Sequence, residues 1–340
     1  MEKKLKLGII GLGALTQTTH IPIFKRINTV EIVAICDIDV RKLDHIATQL
    51  GVKKRYVDFQ ALIEDEEVEA VVIATPTYLH APMTIAALNF GKHVFCEKPM
   101  STTLEEAEEM VAAAYKAKRK LAIGLNNRFR PDVQTLKNFI DHGELGDIFY
   151  MKAGWLMGRT EWDFDEWHRT TIRAGGGSFS SIGVNLLDIC LWFLEKKEPI
   201  AISGACHTRI ENGKIDDAAV ALIRYHDDTF LTIEVGWSLM FEKDFLYCNM
   251  FGQKGAALLN PLGIHKEMHG HLVNVTPTIP TKNYYRISFE LEDRFFVESI
   301  LRDQTPVFSG QDGLLIARVV DAFYRSVRQK TEVRFDSIKK

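Results

Sequence analysis

The sequence predicts an α/β protein. An N-terminal doubly wound parallel sheet is followed by an α+β domain built on a large, mostly antiparallel sheet. Three observations predict this. Up to about residue 124, short apolar runs alternate with helical stretches, the pattern of a parallel sheet with helices on both faces. The first run ends in a glycine-rich turn, GLGALT. Beyond residue 125, strand-like segments follow one another across turns such as ENGK and HDDT, the texture of antiparallel pairing. The domains read as 1–124 and 125–340.

The elements follow in order. LKLGIIG, EIVAICD, AVVIAT, KHVFCEK and KLAIGL are the five apolar runs of the first sheet. VRKLDHIATQL and LEEAEEMVAAAYKAKRK separate some of them as helices, the second with Glu early and Lys/Arg late as its dipole prefers. A helix over 131–142 opens the second domain. DIFYMKAGW, IAISGACHTRI, AAVALIRYH, TFLTIEVGWSL, FLYCNMFG and GAALLN then read as strands. Two helices close the chain, FELEDRFFVESILRD and DGLLIARVVDAFYRSVRQ.

Composition excludes several classes. The chain has 340 residues, 46% apolar and 26% charged, ordinary for a globular protein with room for two domains. A net charge of −3 gives no basic footprint for nucleic acid and no polybasic cue for a membrane surface. No run approaches the ~20 apolar residues of a membrane span. The N-terminal MEKKLKLGIIGLGAL is interrupted by Gly8, Gly11 and Gly13 and lacks a small-residue cleavage site, so it reads as mature sequence. The five cysteines, Cys36, Cys96, Cys190, Cys206 and Cys248, are scattered and odd in number, as expected of reduced thiols in a cytoplasm.

The turn after the first strand carries the first site. Gly11 and Gly13 match the first two glycines of GxGxxG, and Thr16 takes the third place. The first glycine permits the tight turn, and the second lets the backbone approach a pyrophosphate at the start of the next helix, the dinucleotide-binding cradle of a Rossmann sheet. A second strand then ends in Asp37, 24 residues after Gly13, near the spacing of the acid that binds ribose hydroxyls. An aspartate there favours NAD, and Arg41 and Lys42 leave NADP open. ATPTYLHAP and CEKPM end the third and fourth strands. Open α/β sheets bind ligands at such carboxyl ends, so Lys98 is expected over the cofactor.

GLGALT, Asp37, ATPTYLHAP and above all CEKP resemble the glucose–fructose oxidoreductase / inositol dehydrogenase / MocA family. The resemblance covers nearly the whole chain, including NRFRP, GGGSFSSIGVNLLD and the closing SILRDQTPVFSGQDGLLIARVVDAFYRSV. It implies an NAD(P)-dependent oxidoreductase acting on a sugar-like small molecule. Gly11, Gly13, Ala14, Leu15, Asp37, Thr75, Pro76, Thr77, His80, Glu97, Lys98 and Asn126 would hold the cofactor. Thr77 stands where the family usually has Asn. Lys98 would also contact the substrate hydroxyl. The resemblance further implies a homodimer or homotetramer formed through the C-terminal sheet.

In GGGSFSSIGVNLLD, the polar residues Ser181, Asn185 and Asp188 fall at i, i+4 and i+7, one face of a helix. Two readings stand: the stripe faces substrate, or serines cap the helix while Asn185 and Asp188 bond a neighbouring element. The family segment reads GGGxxxDxGxH, with a second Asp three residues later. Ser181 replaces the first Asp and Asn185 the His, so the usual acid–base pair is missing. An Asn amide cannot take a proton near neutral pH. That leaves Lys98 as the expected proton relay and His168, in EWHRTT, as a second candidate; Tyr284 and Tyr285 are more remote. Arg128 and Trp167 complete the expected substrate contacts. Trp155, Trp162 and Trp192 also flank this region, where aromatic rings stack on sugars or fill cores. His265, His269 and His271, in GIHKEMHGH, show no recognised metal-ligand spacing and read as a polar loop, so no metal is expected. Two other functions fit the missing pair: a cofactor- and sugar-binding regulator without turnover, and a redox-neutral NAD-dependent cleavage of glycosides.

Overall fold

The computed structural model describes residues 4–158, 171–208, 215–279 and 282–335. The chain divides into two units, one of Met1–Asn126 with Tyr285–Ala317, the other of Asn127–Tyr284 with Arg318–Lys340.

The first unit is built on six parallel strands. They are β1 (Leu5–Ile10), β2 (Val30–Cys36), β3 (Lys54–Tyr56), β4 (Ala70–Ile73), β5 (His93–Cys96) and β6 (Leu121–Ile123), in the order β3-β2-β1-β4-β5-β6. This is the Rossmann order, and its direction reverses between β1 and β4. Ala70–Ile73 is buried at every position, as a strand covered on both faces requires. Strand β3 has no apolar run and was not legible from hydrophobic pattern. Among the helices, α1 (Ile21–Phe24) ends the helix that follows the glycine turn, and α2 (Val40–Leu50) follows β2. The Asp39 carboxylate caps α2, accepting from the Arg41 and Lys42 N–H groups. Next come α3 (Phe59–Glu64) and α4 (His80–Asn89). Helix α5 (Leu104–Ala117) starts with a capping box between Thr103 and Glu106.

The second unit carries α6 (Pro131–Asp141), β7 (Ile148–Gly158), α7 (Thr171–Ala174) and α8 (Val184–Phe193). Seven strands follow: β8 (Pro199–His207), β9 (Ala218–Tyr225), β10 (Phe230–Leu239), β11 (Phe245–Gly252), β12 (Gly255–Leu259), β13 (Gly263–Met268) and β14 (His271–Asn274). With the short β15 (Val333–Arg334) they form a nine-stranded sheet ordered β14-β13-β12-β11-β7-β10-β9-β8-β15. Among the described residues of this sheet, only β7 and β10 pair in parallel. One face is buried, with α8 lying against β7 and β10; burial alternates along β9, with Ala219, Ala221, Ile223 and Tyr225 inside. The segment read as a polar histidine loop is instead the β13–β14 hairpin, with His265 and His271 on its strands and His269 in the turn. Its mostly exposed positions leave no apolar run to signal strands.

The last two helices also depart from the expected division at residue 125. Helix α9 (Tyr284–Leu301) belongs to the first unit from Tyr285 onward, and α10 (Gly310–Gln329) is divided after Ala317. Phe289, Asp293 and Phe296 lie at helical spacing on α9 and are buried. Phe296 and Phe308 meet the Phe95 ring of β5 edge-on. The five cysteines are free, and only Cys206 is exposed. No helix among the described residues is long and apolar enough to cross a membrane.

Candidate active site

In the first unit, β1 and β4 are the neighbours between which the strand order reverses, so ligands are expected beyond their carboxyl ends. Gly11 turns there at φ +93°, and a Cβ on it would stand 2.5 Å from the Ala74 carbonyl oxygen. Gly13 is exposed, and nothing lies within 4 Å of where its Cβ would be. Helix starts leave N–H groups without intrahelical partners, and the helix here begins at Ala14, which is exposed. This bare backbone cradle fits a pyrophosphate. Thr16, in the third motif place, is buried and opens a wide π-type turn over Thr16–His20.

Asp37 ends β2 and ties the cradle to it. Its carboxylate accepts from Leu12 N at 2.8 Å and Asp39 N at 2.8 Å, and pairs with Lys42 Nζ at 3.2 Å. The residues present therefore fit a dinucleotide: an open glycine turn, a helix start and an anchored acid. Replacing Gly11 by Ala is expected to cost about 1–3 kcal/mol in backbone strain alone. Thermal unfolding with and without NAD checks this; the variant should melt lower and lose most of the NAD-induced rise.

Lys98 lies just past the end of β5, half-buried, and its peptide bond to Pro99 is cis. Burial holds its amine below the ordinary lysine range, against an opposing pull from Glu97. Several of the expected cofactor residues make contacts within these strand ends. His80 is buried, with Nδ1 2.8 Å from the Pro99 carbonyl and Nε2 2.8 Å from the Thr75 carbonyl. Its ring joins the segments that follow β4 and β5. The Glu97 carboxylate is taken by His20 Nε2 at 3.0 Å and by the Lys98 N–H at 3.1 Å. Thr77 is buried at the start of a short 3₁₀ turn, and Asn126 donates to Ser288 Oγ at 2.9 Å. Thr75, Pro76 and Leu15 keep partly exposed surface.

In the second unit the glycine-rich segment folds around Asp216, which sequence reasoning missed. Asp216 Oδ1 accepts from Gly177 N at 3.0 Å and Tyr324 OH at 2.7 Å; Oδ2 accepts from Ser178 Oγ at 2.8 Å and Phe179 N at 2.9 Å. A Cβ on Gly177 would stand 2.0 Å from the Asp216 carbonyl oxygen, so only glycine lets the two segments approach. A π-type turn over Phe179–Gly183 leads into α8. The wide turn contains Ser181, so the even spacing read from the sequence holds within the α-helix only for Asn185 and Asp188.

Both of these meet the 3₁₀ turn Asn126–Phe129. Asn127 Nδ2 donates to Asn185 Oδ1 at 3.3 Å. Arg128 Nε and Nη2 reach Asp188 Oδ1 at 2.8 and 2.6 Å, both side chains being buried. Arg128 also stacks over the Trp192 ring, 5.6 Å from its centroid. Arg128 and Asp188 thus form an internal ion pair that braces α8. Asn185 is half-buried, and its Nδ2 donates to the Ile182 carbonyl. Trp167 and His168 lie outside the described residues.

Comparison with known proteins agrees with this geometry. Residues 5–125 match the oxidoreductase family with the NAD-binding Rossmann fold, and residues 133–258 match the Gfo/Idh/MocA C-terminal domain. The chain is 27% identical to myo-inositol 2-dehydrogenase of Thermotoga maritima, covering 98% of this chain and 99% of the relative. It is 26% identical to D-glucoside 3-dehydrogenase of Escherichia coli, covering 97% of each. The crystal structure of aldose-aldose oxidoreductase from Caulobacter crescentus superposes with a TM-score of 0.84 at 28% identity, covering 98% of this chain and 100% of that one. Fold, cradle and both domain matches converge: the chain belongs to the Gfo/Idh/MocA family of NAD-binding oxidoreductases.

Proposed function

We propose that the chain is a dehydrogenase that oxidises a secondary alcohol of a sugar, polyol or related cyclic compound, or reduces the matching ketone, with Lys98 as proton relay. The observation that carries this is Lys98 itself. It stands half-buried at a strand end of the cofactor sheet, its amine held below the ordinary range. Bound NAD supplies the hydride acceptor. Lys98, in its neutral form, takes the hydroxyl proton as the carbonyl forms, and returns it in the reverse direction. Asn185 and Ser181 are assigned to hydrogen bonds with substrate hydroxyls. The substrate class is supported by the names of the relatives, an inositol and a glucoside dehydrogenase.

NAD is the preferred cofactor in this reading. A 2′-phosphate would meet the Asp37 carboxylate, and of the two nearby cations, Arg41 and Lys42, the second is already paired with it. The test is nicotinamide absorbance with NAD and NADP against a panel of sugars, polyols and sugar acids. One substrate class should support reduction, with NAD favoured at least about tenfold in kcat/KM, a difference of ~1.4 kcal/mol. Firmly bound NAD with neither reduction nor reoxidation by ketones would overturn dehydrogenase function. Ser181 and Asn185 would then mark a regulator, or a redox-neutral enzyme if glycosides were cleaved.

The free thiols fit a reducing compartment, which we infer to be the cytoplasm. The open face of the second unit's sheet supports assembly with further copies of this chain. Val220, Leu222 and Phe230 point outward at 47%, 38% and 38% exposure, and Tyr150 stacks between Phe230 and Phe251. Exposed apolar faces of this kind mark association surfaces. Sedimentation should show a dimer or tetramer, and Phe230→Glu should weaken it at least about tenfold; a monomeric wild type would refute the surface.

A further inference from the structure

His20 is buried within the first unit and makes two carboxylate contacts. Nδ1 lies 3.0 and 3.1 Å from the two oxygens of Asp293 on α9, and Nε2 lies 3.0 Å from Glu97 Oε1. The rings of Phe24, Phe95 and Phe289 stand 6.2, 5.5 and 5.8 Å from it, centre to centre. A carboxylate only accepts hydrogen bonds. Each ring nitrogen must then carry a proton if both acids are ionised, which makes the ring an imidazolium. Burial opposes that charge, but Asp293 and then Glu97 hold the ring well above its ordinary value. Glu97 in turn is kept low by His20 and Lys98 in spite of burial, while burial pushes Asp293 up against the pull of His20.

We propose that His20 is a positioning residue for Lys98: as an imidazolium between Asp293 and Glu97, it fixes the Glu97 carboxylate and offsets its charge, so that the neighbouring amine is free to lose a proton. The position is built, not incidental. Glu97 Oε2 accepts the Lys98 N–H, and a Cβ on Gly124 would stand 2.9 Å from both Glu97 oxygens, so the carboxylate occupies a fitted slot. Charge supplies the rest. With His20 and Lys98 protonated and both acids ionised, the four groups sum to zero. Without the imidazolium, two buried carboxylates remain beside one ammonium, and that ammonium keeps its proton more tightly. The other titratable groups that sense Glu97 among the described residues are His80 on α4, Cys96 at the end of β5 and Tyr285 on α9. His80 lies between the Pro99 and Thr75 carbonyls, and burial holds it below its ordinary range against the pull of those carbonyls and of Glu97, so it is the weaker source of positive charge.

This inference rests on Lys98 being the relay, so the test separates the two. In the cofactor-free full chain, ¹⁵N spectra of histidine-labelled protein report the His20 ring, assigned with His20→Gln. Both nitrogens should be protonated from pH 6 to pH 9. An unprotonated ring nitrogen in that interval overturns the proposal without any variant having to fold. The ¹³Cε signal of Lys98, assigned with Lys98→Arg, should titrate at least one pH unit higher in His20→Gln, a tenfold smaller neutral fraction. Asp293→Asn, which loosens the same clamp, should move it in the same direction. A midpoint that stays or falls in both variants overturns the proposal. If the coupling is seen while Lys98→Met still turns over, the network stands and the relay reading fails.

Discussion

Replacing Lys98 by methionine should lower kcat by about 10²–10⁴, the range for removal of a general acid–base group, while NAD affinity stays within a few fold. The proposed dinucleotide cradle is made by Gly11, Gly13 and Asp37 at the ends of β1 and β2, whereas Lys98 follows β5. Loss of the amine therefore separates proton transfer from cofactor binding. Lys98→Arg sharpens the result. A guanidinium keeps the positive charge and does not deprotonate in proteins. If charge alone served the reaction, arginine would restore activity; if a proton must move, arginine should be as inactive as methionine. Initial rates of nicotinamide reduction, with NAD binding followed by fluorescence quenching, measure both quantities. Unchanged turnover in either variant would refute the relay.

The arrangement around Lys98 shows how far sequence carries such a reading. The strand ends were legible, because buried parallel strands are written as continuous apolar runs and the ligand edge follows from topology. Lys98 and the glycine turn could therefore be placed by number. What surrounds Lys98 was not legible in the same way. His80 stands five residues after Thr75 and is expected at the cofactor from the family resemblance, yet the two carbonyls its ring meets are brought together only in the folded chain. His20 and Asp293 are separated by 273 residues, and nothing local marks either as charged and buried. The polar stripe on α8 was visible as a period, but its partners Asn127 and Arg128 precede it by about sixty residues. Helix periodicity locates a face and leaves open what it meets. The β13–β14 hairpin was missed for the opposite reason: at a mostly exposed edge, hydrophobic pattern carries little signal.

Replacing Asp216 by alanine should destabilise the second unit by about 3–5 kcal/mol, since two buried backbone N–H groups and two hydroxyls lose one shared acceptor. The hydroxyls of Ser178 and Tyr324 can rotate to other acceptors. The Gly177 amide keeps a second acceptor in Tyr324 OH at 3.0 Å, whereas the Phe179 amide is fixed by the backbone against the Asp216 carboxylate and cannot rotate away. Tyr324 remains a donor, its phenol held well above the ordinary value first by burial and then by the Asp216 charge. Asp216→Asn should cost less, about 1–3 kcal/mol, because an amide still accepts on one side while its N–H₂ opposes a donor on the other. Urea unfolding gives the order wild type, asparagine, alanine. The same carboxylate anchors the segment that carries Ser181 and Asn185, so in the proposed enzyme the asparagine variant should raise the substrate KM and leave NAD affinity unchanged. Equal stability of all three proteins would show that the glycine-rich segment holds its shape without this acid, and the fixed position of Asn185 would then rest on Asn127 and the Ile182 carbonyl.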